Sequence, residues 1–164
     1  TVGDAGLGLG ARKGDLPERL PGSVLDALRA RFLLPTPRVA LGHALVGIAS
    51  SAIDVSDGLL SDLGHICEVS GLGAVVRRSA IPLSDAAQTV IDHDRTLWPA
   101  LFAGDDYELL FTAPPDRRSA VLKAAEVAGV SVAGIGRMEP GTGPRLVDDT
   151  GTTVTDELPG YRHF

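Results

Sequence analysis

Two aspartates stand three positions apart where an apolar run meets an amphipathic one, in Ala52-Ile53-Asp54-Val55-Ser56-Asp57-Gly58-Leu59-Leu60. Alternation along a strand sends Asp54 to the face opposite Ile53 and Val55. Asp57 falls at the entrance of the following helix, where Gly58 allows close backbone approach. Oxygen ligands gathered in this way suit a hard divalent cation. Mg²⁺ takes one or two carboxylates and completes its shell with substrate phosphates and water. Free backbone N–H groups at the helix start, with the Ser56 hydroxyl, would favour a phosphate alongside. The same residues also read as an ordinary N-cap. Asp54 argues for more, because a carboxylate within an apolar strand is costly to bury unless something positive meets it.

A second acidic stretch is Ala103-Gly104-Asp105-Asp106-Tyr107-Glu108-Leu109-Leu110-Phe111. Its three carboxylates crowd against an apolar strand, and their expected partner is a cation, either a metal or a charged part of a substrate. A charged turn bounding a strand is the plainer alternative. His65 reads as a satisfied structural group, since no second His or Cys stands at ligand spacing. Cys67, within Leu63-Gly64-His65-Ile66-Cys67, reads as a buried, inert thiol. No Ser/His/Asp arrangement or phosphate-cradling glycine loop is present, and Gly134-Ile135-Gly136-Arg137 reads as a turn after a strand.

The elements that must position these residues follow from periodicity and punctuation. Residues 1–22 are rich in Gly and Pro and read as a connecting segment. Ser23 is expected to cap a helix to about Leu34, with Val24, Leu25, Leu28 and Phe32 on one face. A second helix is expected from Arg38 to Leu45, after Pro35 and Pro37. Ser50 to Val55 reads as a buried strand. The pattern predicts a helix from Gly58 to Val69, stopped at Gly71, then a strand from Gly73 to Arg77. A helix capped by Ser84 should run to Ile91, and Tyr107 to Thr112 should be a strand. A helix from Asp116 to Ala128 should close at Gly129. Strands at Val130 to Ile135, Arg145 to Val147 and Thr152 to Val154 complete the set. Helices alternating with strands give an α/β or α+β domain, a sheet covered by helices.

Composition narrows the functions open to this domain. Apolar residues form 44% of 164, enough for a core. No apolar run reaches the about 18 residues of a membrane span, and no signal peptide is recognised at the start. The single cysteine excludes an intrachain disulfide and fits a reducing, cytoplasmic setting. A net charge of −6 with 4% aromatics disfavours nucleic-acid binding. An acidic protein that handles phosphates must recruit cations.

Three stretches resemble the thiamine-monophosphate kinase family: AIDVSDGLLSDLGHI at 52–66, AGDDYELLFTAPP at 103–115 and GYRHF at 160–164. PTPRVALG at 35–42, IPLSDA at 81–86 and TVGDAGLGL at the start support them. The resemblance covers essentially the whole chain and implies the C-terminal domain of a member of the aminoimidazole ribonucleotide synthetase-like superfamily. Residues 1–22 would be the interdomain passage, 23–164 the C-terminal domain, and the N-terminal ATP-binding domain would be absent from this chain. The implied reaction moves the γ-phosphoryl group of ATP to thiamine monophosphate, with Mg²⁺. Asp54 and Asp57 match magnesium ligands, Ser56 an ATP contact, and Asp105 and Tyr161 substrate contacts. Asp105 is glutamate in many relatives, and Ala103 replaces a glycine. A homodimer of full-length subunits is also implied. Another ATP-dependent member of the superfamily, or a non-catalytic interaction domain, is the competing reading.

Overall fold

The structure is a computed structural model that describes residues 1–154. Six helices are α1 (Asp4–Lys13), α2 (Gly22–Leu33), α3 (Val39–Ala44), α4 (Leu59–Ser70), α5 (Asp85–His93) and α6 (Arg118–Ala128). The strands are β1 (Ser51–Asp54), β2 (Gly73–Arg77), β3 (Leu109–Thr112), β4 (Gly136–Glu139) and β5 (Gly143–Val147). A 3-10 segment, Arg95–Phe102, leads to the acidic loop. Helices cover two small sheets, as expected of a mixed α and β domain.

β1 and β3 pair antiparallel, with Ser51 opposite Thr112 and Asp54 opposite Leu109. The other sheet runs β4-β2-β5 and is mixed, β2 being antiparallel to β4 and parallel to β5. Strand alternation lets β3 serve two cores. Leu110 joins the main cluster with Leu59, Leu63, Val76 and Leu101, whereas Leu109 and Phe111 rest on a smaller one of Leu41, Leu45, Ala124 and Ala125. α3 and α6 therefore sit on the face of the pair that carries Asp54.

Several expected elements form where their punctuation lies. α4 buries Leu59, Leu63, Ile66 and Cys67 and stops at Gly71, whose φ is 63°. Ser84 caps α5 by accepting the Ala87 N–H at 3.0 Å. The Cys67 thiol is buried, and burial pushes its pKa up.

Others differ. Within the segment read as connecting, residues 4–13 form a helix that the sequence reading did not assign, and Leu7 is fully buried in the main core. Its glycines permit close packing: a Cβ at Gly6 would collide with the Ala100 carbonyl oxygen, and one at Gly8 with that of Leu28. Ser23 lies inside α2, which starts after Pro21 without a side-chain cap. Residues 130–135 form no strand, although the Arg77 N–H donates to Ile135 O at 2.8 Å. Strand pairing begins instead at Gly136, where any Cβ would strike the Val75 carbonyl, so the Gly136-Arg137 "turn" is the start of β4. Thr153 contributes only a single bridge to Val147. Finally, β1 is half-exposed, because its pair has only two strands.

Candidate functional site

The 54–58 corner and the 103–108 loop are fastened to each other through their backbones. Val55 N–H donates to Glu108 O at 2.8 Å, Tyr107 N–H to Val55 O at 2.8 Å, and Asp105 N–H to Ser56 O at 2.9 Å. Only glycine fits at two points of this seam. Gly58 has φ 115° and faces the Phe102 carbonyl; Gly104 has φ 90° and faces that of Ser56. The two acidic stretches thus belong to one site.

Within the corner, a residue that the sequence reading did not single out organises the backbone. Asp62, on the first turn of α4 and only 2% exposed, turns its Oδ2 back toward the chain. It accepts the N–H groups of Ser56 at 3.0 Å, Asp57 at 3.1 Å and Gly58 at 3.1 Å. The expectation of free amides for a phosphate is therefore corrected: an internal carboxylate already holds them. Burial pushes the Asp62 carboxyl pKa up, against the pull of these amide bonds. What the corner turns outward is oxygen, from exposed Asp54 and half-buried Ser56 and Asp57. Asp54 is not buried, so the desolvation argument for its role does not hold; its position at the exposed strand end matters instead.

The acidic loop divides its charges. Asp105 and Tyr107 have positive φ, 63° and 50°, uncommon for residues with side chains. This backbone puts Asp105 and Tyr107 outside and buries Asp106 and Glu108. Asp106 accepts the N–H groups of Gly3 at 2.7 Å and Ala5 at 3.1 Å, tying the loop to the start of α1. Burial raises its pKa to about 6, opposed by those two bonds. Glu108 receives Arg38 through Nε at 2.8 Å and Nη2 at 2.7 Å, and Arg31 at 2.9 Å. Burial alone would raise the Glu108 pKa, but the Arg38 hydrogen bonds and nearby positive charge hold it below the usual range. Two of the three expected cation-seekers are thus satisfied within the fold. Asp105 alone faces outward.

Asp54 and Tyr107 line a cleft of about 450 Å³ together with Pro35, Pro37, Arg38 and Val39. The PTPRVALG stretch therefore forms one wall of the site. Tyr107 is 42% exposed, and its hydroxyl lies 3.4 Å from Asp105 Oδ1. The Asp105 charge pushes the tyrosine pKa up, and Asp54 and Asp57 add to it, so all three carboxylates are felt at this ring. Ligand atoms of Asp57, Asp62 and His65 lie within 4.8 Å of one another, a grouping that leaves Asp54 out. His65 is exposed there. Tyr161 lies outside the described residues. A second space of about 570 Å³, bordered by β2, β3 and β4, is mainly apolar, and of the carboxylates in the two acidic stretches only Glu108 borders it.

Asp62, Arg38 and Tyr107 were missed by sequence reasoning. The hint for Asp62 was an acid in the first helical turn beyond an acidic corner, the position from which a side chain reaches back to unpaired amides. Tyr107 had its place within the acidic motif as a hint. Nothing local to Arg38 foretold its contact with Glu108, which lies far along the chain.

The family model described as AIR synthase related protein, C-terminal domain, matches residues 2–149. A curated thiamine-monophosphate kinase of Salmonella typhimurium is 46% identical over 100% of this chain and 50% of its own length. A crystal structure of thiamine-monophosphate kinase from Stenotrophomonas maltophilia is 41% identical, with TM-score 0.79, over 89% of this chain and 47% of that one. A structure described as AaThiL complexed with AMPPCP and TMP is 30% identical, with TM-score 0.78, over 100% of this chain and 49% of that one. The chain spans about half the length of the curated relatives it matches over its full extent.

Proposed function

Given that this chain belongs to the AIR synthase related family through its C-terminal domain, we propose that it is the C-terminal part of a thiamine-monophosphate kinase. The whole protein would transfer the γ-phosphoryl group of ATP to the phosphate of thiamine monophosphate, yielding thiamine diphosphate. The observation that carries this reading is the backbone seam from Val55 to Glu108. It joins the acidic corner to the acidic loop, with Asp54 and Tyr107 lining one cleft and the charges of Asp57 and Asp105 acting on the Tyr107 hydroxyl, and the relatives matching the entire chain are kinases of this name. One solved relative, 30% identical, is described as complexed with AMPPCP and TMP.

Mg²⁺ fits the outward donor set, which is all oxygen in Asp54, Ser56 and Asp57. Asp54 and Asp57 would hold it; when bound, it neutralises charge on the phosphates. The Asp57, Asp62 and His65 grouping is less suited, since Asp62 Oδ2 is committed to three amides and a ring nitrogen favours softer metals. Phosphoryl transfer requires positioning and charge neutralisation rather than a protein nucleophile, so acidic and polar groups suffice on this side of the site.

Ser56 is assigned a contact to ATP, and Asp105 and Tyr161 contacts to the thiamine. The cationic thiazolium is attracted by Asp105 and by the exposed face of Tyr107. Remaining ATP contacts and further metal carboxylates would come from an N-terminal domain, and the full-length enzyme is proposed to be a homodimer. A cytoplasmic setting agrees with the single free thiol of Cys67. No described helix is long and apolar enough to cross a membrane. The test is ADP release by the full-length protein. Release that requires both thiamine monophosphate and Mg²⁺ is expected; release indifferent to thiamine monophosphate refutes the substrate.

A further inference from the structure

We infer that Asp62 is a positioning residue that fixes the shape and the charge of the 55–58 corner before any cation arrives. The inference rests on the proposal that this corner holds Mg²⁺. Every amide from Val55 to Gly58 has a partner: Glu108 O takes the first and Asp62 Oδ2 the next three. Three donors converging on one oxygen fix the backbone between Asp54 and α4, and hence the directions of the Ser56 and Asp57 side chains. Gly58, pressed against the Phe102 carbonyl, leaves that backbone little room to relax otherwise.

The electrostatic consequence is equally direct. Uncovered amides at a helix start attract anions. With a carboxylate seated on them, the corner loses that attraction and presents a negative charge behind Asp57. It becomes a place for cations, which a phosphate chain reaches through the metal rather than through the backbone. Asp62 does this from a nearly fully buried position, with the accepting oxygen turned inward to the amides.

The experiment uses the full-length protein with Mn²⁺ as probe, in the presence of a non-hydrolysable ATP analogue. Free Mn²⁺ is counted by electron paramagnetic resonance. Asp62→Asn keeps an acceptor oxygen but removes the charge, and Mn²⁺ affinity should fall about 10-fold or more, the usual effect of losing a group that orients metal ligands. The metal-free melting temperature is read alongside, because a merely structural role would move it and leave the affinity alone. Unchanged Mn²⁺ affinity in Asp62→Asn overturns the inference. A parent protein that binds no Mn²⁺ refutes the metal reading of the corner instead. Hydrogen exchange on the parent needs no substitution at all. The Ser56, Asp57 and Gly58 amides should be protected without metal as well as with it, and protection that appears only on adding Mn²⁺ overturns preorganisation by Asp62.

Discussion

Asp105 faces solvent, while Asp106 beside it is buried under the loop and holds the Gly3 and Ala5 amides. Burial lifts the Asp106 carboxyl from 3.8 to about 6. The folded chain therefore binds this proton more tightly than the unfolded chain does. The stability that the proton contributes is complete below about pH 4 and is lost as pH rises through about 6, a change of up to about 3 kcal/mol. In urea denaturation, Asp106→Asn should flatten this part of the profile between pH 4 and 7; an unaltered slope would show that Asp106 is not its source. Asp57 has a different task. In the full-length enzyme Asp57→Asn should raise the Mg²⁺ requirement or lower turnover by about 10–100-fold while leaving the melting temperature nearly unmoved. Kinetics equal to the parent's would take Asp57 out of the metal site.

Two strand ends and one helix start make the site, and their contacts can be tested as elements. Glu108, on the strand side, binds Arg31 of α2 and Arg38 at the start of α3, both only about a quarter exposed. Glu108→Gln would leave two guanidinium groups short of their counter-charge and should cost about 2–4 kcal/mol, a little below the value for a fully buried pair. Guanidinium denaturation measures it, and a loss below 1 kcal/mol (about the worth of an exposed pair) would make the cluster superficial. Gly58→Ala should be damaging through strain and collision, by about 3 kcal/mol, with loss of metal-dependent activity. Much of this frame was legible in the sequence. The Gly71 stop, the Ser84 cap and the change from strand to helix at Asp54–Leu59 are signals carried by neighbouring residues. Less legible was whatever depended on distant partners. Glycines at 6 and 8 resembled a linker because the carbonyls they press against lie at Ala100 and Leu28. Gly136 resembled a turn because its partner is β2. The amides at 56–58 looked available because neither apolar periodicity nor turn chemistry reveals that Asp62 folds back onto them.

As a whole the molecule is acidic, at −6, and its cleft is bordered by exposed Asp54 and by Glu108, which Arg31 and Arg38 neutralise. Near the PTPRVALG wall, Leu33, Leu34 and Val39 are 61%, 79% and 61% exposed. The relatives are about twice as long, and in our proposal a second domain brings the rest of the nucleotide site. The 164 residues alone should therefore show no thiamine-monophosphate-dependent ADP release in a coupled assay, and substantial turnover would mean that this domain suffices. The most direct measurement is a crystal structure of the full-length protein with Mg²⁺, a non-hydrolysable ATP analogue and thiamine monophosphate. Our account predicts a magnesium ion about 2.1 Å from a carboxylate oxygen of Asp54 or Asp57, touching the nucleotide phosphates, with Asp105 turned to the thiamine. Metals and phosphates bound elsewhere, with the corner facing only water, would contradict it.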